Sequence, residues 1–131
     1  MKKYFFLILI FISTASTADW EVSGANNDEN ITWYADRTTI KKNGNIVTMW
    51  TMTSGKPSFV NNKQYLSSKN LFEFDCKNEK IRLLSGTAYS EENGMGEVVH
   101  MVTYKENETQ SIFRVPGTLL ENQWKIACRK K

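Results

Sequence analysis

The sequence predicts an α+β fold, an antiparallel sheet of about six strands with one C-terminal helix packed on it and tied to it by a disulfide. Three observations carry this expectation. Residues 71–76 alternate, so that Phe72, Phe74 and Cys76 share an apolar face while Glu73 and Asp75 take the other. Near the C-terminus, Thr118 and Glu121 form a capping box, after which Leu120, Trp124, Ala127 and Cys128 recur at helical spacing. The two cysteines of the chain therefore stand on the inner face of a strand and on the buried stripe of a helix, where a Cys76–Cys128 bridge would join the two.

The elements are legible in order. Asn43-Gly44 lies between Thr38-Thr39-Ile40 and the run Ile46 to Met52, and Asn-Gly between β-rich segments is a strong hairpin signal. Ile46, Trp50 and Met52 fall on one face of the second run and Val47 and Met49 on the other, so this strand is apolar on both sides and belongs at the centre of the sheet. Gly55 to Ser58 and Asn61 to Lys63 read as a polar connection into the strand Tyr65 to Cys76. Lys77 to Lys80 then turns the chain into Ile81 to Tyr89. A turn-rich stretch, Glu91 to Gly96, precedes the strand Glu97 to Tyr104, and a short strand, Ser111 to Val115, is stopped by Pro116 before the capped helix.

The N-terminus has the pattern of an export signal. Lys2 and Lys3 precede a wholly apolar run from Tyr4 to Ile12, and Ser16 and Ala18 suit positions −3 and −1 of a signal-peptidase site. Residues 1–18 are expected to be removed, leaving one domain over 19–131. The apolar run of about nine residues is short of the roughly 20 that span a bilayer, so no transmembrane anchor is expected after cleavage. No cysteine closes the run to accept a lipid. An exported product, periplasmic or secreted, is expected. Cleavage removes two lysines and takes the formal charge from +3 to about +1, which gives no reason to propose nucleic acid as a partner. A domain of this size buries roughly two-thirds of its unfolded surface. A bridge closing a loop of about 52 residues, worth roughly 4 kcal/mol, would be a large part of its stability.

In their order, these residues resemble the bacterial surface-adhesin protein E family. The matching pieces are Trp33-Tyr34-Ala35-Asp36, Asn45 to Trp50, Tyr65-Leu66-Ser67, Phe74-Asp75-Cys76, Gly94-Met95-Gly96, and Val115-Pro116-Gly117-Thr118 leading to Ala127-Cys128. The resemblance implies a disulfide-tied terminal helix on an antiparallel sheet. It also implies binding of host extracellular-matrix or serum proteins at the bacterial surface, often by a dimer. The family's loop before the Tyr-x-Ser strand carries adjacent basic residues, whereas here the matching place reads Lys63-Gln64.

No catalytic residue is assigned. His100, the single histidine, has no partner motif that would make it a general base. The cysteines are too far apart in sequence for a metal cluster, and Glu91, Glu92 and Glu97 match no calcium-loop spacing, so neither metal nor cofactor is expected. Gly94 and Gly96 are expected to supply positive φ for a tight turn or bulge rather than a phosphate cradle. The candidate partner-binding residues are Lys56, Phe59, Lys63, Tyr65 and Lys69, because lysines interleaved with aromatic anchors suit an acidic protein surface. The expected function is that of an exported, non-enzymatic binding protein. The alternative is a soluble periplasmic structural or stress-related protein, such as an inhibitor of a cell-wall-degrading enzyme.

Overall fold

The computed structural model describes residues 18–129. All but the last residue of the expected signal segment lies outside them. Six strands, β1 (Glu21–Asn26), β2 (Ile31–Asn43), β3 (Ile46–Val60), β4 (Lys63–Asp75), β5 (Lys80–Tyr89) and β6 (Val98–Thr103), form an antiparallel meander in which each pairs with the next. A two-residue strand, β7 (Ile112–Phe113), pairs with the start of β5. The helix α1 (Leu119–Cys128) follows.

Two elements differ from the sequence reading. The polar connection expected between residues 55 and 63 is strand almost throughout, because β3 runs on to Val60 and β4 begins at Lys63. Asn61 and Asn62 alone make the turn, with φ of 49° and 63°, values asparagine tolerates better than most residues. Gly55, at φ 111°, sits in a register shift between Ser54 and Ser58 that absorbs Lys56 and Pro57 as a bulge. Its bare Cα is required there, since a Cβ would stand 2.4 Å from the Asn30 carbonyl oxygen. The same Gly, Pro and Asn that suggest a loop thus serve a bulge and a two-residue turn. The other difference is β1, whose Ser-Gly-Ala-Asn stretch has little β propensity and is held by its pairing with β2.

The expected faces are present. Val47 and Met49 of β3 stand opposite Phe74 and Phe72 of β4, and with Ala35, Ile81, Trp124 and Ala127 they form the core beneath α1. Trp124, 1 % exposed, fixes the helix from several sides. Its indole N–H donates to the Asp75 carbonyl at 3.2 Å, and the Arg114 guanidinium lies over its ring at 4.5 Å. Cys128 bonds to Cys76 one turn further on, with Cα atoms 5.6 Å apart. Gln123 is fully buried and donates to the Ser23 hydroxyl (2.8 Å) and the Tyr34 carbonyl (3.1 Å), so α1 also grips β1 and β2.

The other face of β3 is covered at one end by the chain itself. Residues Glu92–Gly94 form a 3₁₀ turn over Met52, which is 2 % exposed. Ser54 and Ser67 accept the N–H groups of Asn93 (2.9 Å) and Gly94 (2.8 Å). Gly94 and Gly96 have φ of 71° and 81°, the positive values expected of them. A side chain at Gly94 would meet the stem of Lys69 at 2.5 Å.

Candidate functional site

Beyond the 3₁₀ turn, the sheet face away from α1 holds a cavity of about 360 Å³. Trp20, Thr38, Thr39, Trp50, Lys69, Thr87 and Tyr89 line it together with Asp36 and Ala18. Aromatic rings and hydroxyl groups predominate, and Lys69 is held with its ammonium 5.2 Å from the centre of the Tyr89 ring. At the edge of this cavity β2 shifts register between Asp36 and Lys41. The missing ladder contacts are replaced by side chains: the Thr39 hydroxyl donates to the Asp36 carbonyl at 2.7 Å and accepts the Trp50 N–H at 3.0 Å. The Asp36 carboxylate, 2 % exposed, accepts the N–H of Thr38 (3.0 Å), the Thr38 hydroxyl and the N–H of Asp19 (3.1 Å).

A smaller groove of about 140 Å³ lies where α1 does not reach, lined in part by Val60, Tyr65, Ser68, Asn70, His100 and Val102. Its lining among the described residues holds no carboxylate to orient His100. Glu73 instead pairs with Arg82 at 3.0 Å. Asp75 accepts the N–H groups of Lys77 (3.1 Å) and Asn78 (2.9 Å), and the Asn78 bonds chiefly hold its carboxyl below the ordinary aspartate range. Among the described residues, no three His, Cys, Asp or Glu side chains are grouped to hold a metal ion.

The five candidate partner-binding residues do not converge on one spot. Phe59, 69 % exposed, and Lys63 share the tip of the β3–β4 hairpin. Lys56 stands on the bulge and pairs with Glu29 at 3.4 Å. Tyr65 lines the smaller groove, while Lys69 belongs to the larger cavity. Sequence reasoning missed Trp20, Asp36 and Tyr89. Trp20 and Tyr89 are 69 positions apart and meet only through the meander, although an aromatic residue just past a leader is a visible signal. Also missed were Met95, just before β6, and Val98 and Met101 on it, which are 62 %, 53 % and 69 % exposed.

These features define a small α+β meander domain whose terminal helix is stapled to the sheet by one disulfide, with exposed aromatic and apolar side chains on its rims. The family model for surface-adhesin protein E matches residues 20–129, and the chain belongs to that family. Among solved structures, crystal form II of Haemophilus influenzae protein E is similar with a TM-score of 0.57 and 20% identity, over 74% of this chain and 80% of that one. A structure of protein E from non-typeable Haemophilus influenzae is similar with a TM-score of 0.55 and 18% identity, over 88% of this chain and 79% of that one. At these identities the likeness is one of fold. No curated protein matches the sequence. Among the described residues, no helix is long and apolar enough to cross a membrane.

Proposed function

We propose that this chain is exported after removal of residues 1–18 and binds a protein partner without catalysing a reaction, in the manner of the surface adhesins whose family it shares. The observation that carries the reading is the β3–β4 hairpin. It is a two-strand arm ending in a tight turn, with Phe59 69 % exposed beside the exposed Lys63. An aromatic anchor next to a cation on a preorganised arm suits an acidic protein surface, and host matrix and serum proteins are the partners the family points to. Lys56, Tyr65 and Lys69 lie farther along the same two strands, engaged with Glu29, the smaller groove and the Tyr89 ring respectively, so the contact rests on Phe59 and Lys63. The β6 edge, with Met95, Val98 and Met101, is the surface through which two copies would pair. Binding of the oxidised mature protein to immobilised matrix and serum proteins tests the hairpin. A Phe59→Ala, Lys63→Glu double variant should lose at least tenfold in affinity. Parental binding by that variant would remove the hairpin as the site. Failure of surface labelling to reach the protein on intact cells would remove the adhesin role.

A further inference from the structure

A carboxylate that is 98 % buried needs a compensating charge or a full set of donors, because moving it out of water is costly. Asp36 is such a group, and among the described residues it makes no ion pair. The nearby cations are engaged elsewhere: Arg37 with Glu21, and Lys69 over the Tyr89 ring. Its three donors are neutral, and one of them is unusual in position. The backbone nitrogen of Asp19 reaches the carboxylate oxygen at 3.1 Å from an exposed residue 17 positions earlier, outside any strand.

We infer that Asp36 is the receptor for the α-ammonium group that leader removal creates at Asp19, so that proteolytic maturation completes an ion pair at the margin of the sheet. The inference rests on the reading of residues 1–18 as a signal peptide. Hydrolysis of the Ala18–Asp19 peptide bond puts the water's hydroxyl on the Ala18 carbonyl and its proton on the Asp19 nitrogen. The free amine, with an ordinary pKa of about 8, takes up a second proton at neutral pH. A neutral donor at 3.1 Å then becomes a cation with three donors at the same place. The consequence is local. The anchored N-terminus holds Trp20 against the cavity it shares with Asp36, Trp50 and Tyr89, and it braces the register shift of β2 that Asp36 organises. An unprocessed chain, or one carrying extra residues before Asp19, keeps the hydrogen bond but lacks the charge.

The test compares two purified, oxidised proteins, one beginning at Asp19 and one with Gly-Ser added before it, each with Asp36 and with Asp36→Asn. At pH 7 the Asp19 chain should melt several degrees higher than the extended one, and Asp36→Asn should abolish that difference. Should Asp36→Asn not fold, the Asp19 amino group can be titrated by NMR in the parental chain, where its pKa should lie above the free-chain range of about 8. Equal melting of the two parental chains, or an amino group titrating as in a free peptide, overturns the ion pair whatever the cell does. Intact mass of the exported protein tests the processing separately. A mature chain beginning elsewhere overturns the signal-cleavage reading, and with it the natural occurrence of the pair.

Discussion

Trp124 shows how one side chain can hold an element. It fills the centre of the core, closes the Asp75 carbonyl with its indole N–H and carries the Arg114 guanidinium on its face. Trp124→Ala should therefore cost about 3–5 kcal/mol in chemical unfolding, and Trp124→Phe less, since it keeps most of the buried area but leaves the carbonyl unmet. A loss under about 1 kcal/mol for the alanine variant would show that the helix is held by other means. The helical spacing that marked Trp124 and Ala127 as inward was legible because apolar residues announce burial by period. Gln123 and Glu121, also buried, were not, because a polar side chain is placed inside by the partners it meets: Ser23 and Tyr34, far off in sequence, for Gln123, and Arg114 across the preceding turn for Glu121. Asp36 was missed because its burial follows from the register shift of β2, which the apolar pattern does not reveal, although its Thr38 donors are local.

The helix and the turn beneath it make the stability pH-dependent. Thr118 caps α1 by accepting the Glu121 N–H at 3.2 Å, as the sequence motif implied. The Glu121 carboxylate does not reach back to Thr118. It accepts from Lys125, Arg114 and the Gly117 N–H instead, and the Lys125 bond is the main reason its carboxyl lies below the ordinary range. The Asp75 carboxyl is lowered as well, by the Asn78 donors. Both groups are more acidic folded than unfolded, so their stabilisation is fully present above the ordinary carboxylate values near 4 and is lost as pH falls through the lower folded values. The melting temperature should therefore drop below about pH 4.5, and Glu121→Gln should make that drop shallower. An unchanged slope in the variant would assign the acid sensitivity elsewhere. Cys128→Ser acts on the same element by another route. It should remove up to about 4 kcal/mol, with the loss falling first on α1, because the strand pairings of the meander do not pass through the bridge. Thiol counting on the protein purified without reductant should find neither cysteine free, and two alkylated thiols would contradict the bridge.

At the scale of the whole molecule, the question is what the sheet leaves uncovered. β3 is apolar on both faces, and part of each is covered within one chain: α1 takes Val47 and Met49, and the 3₁₀ turn takes Met52. That turn was legible as a turn, but its docking through Ser54 and Ser67 was not, since serine hydroxyls in a strand give no sequence signal for what they accept. Of the two edge strands, β1 and β6, the second is the more apolar in its exposed side chains. Among the described residues β6 pairs along one side only, with β5; Val98 and Met101 stand exposed on it, and Met95 is exposed just before it. An unpaired edge flanked by apolar side chains is a natural seat for a second copy, because an isologous contact would extend the ladder and cover the same three side chains on both partners. Sedimentation velocity over a concentration series on the oxidised domain, residues 19–131, should show reversible dimers. Met101→Asp should shift them to monomer by placing a carboxylate at the contact, with little change in melting, because Met101 is 69 % exposed in the single chain. Lys63→Glu, at the far hairpin, should weaken an acidic ligand and leave the dimer intact. A strictly monomeric parental protein at high concentration would reject pairing through β6. Loss of dimer in Lys63→Glu would move the contact to the hairpin.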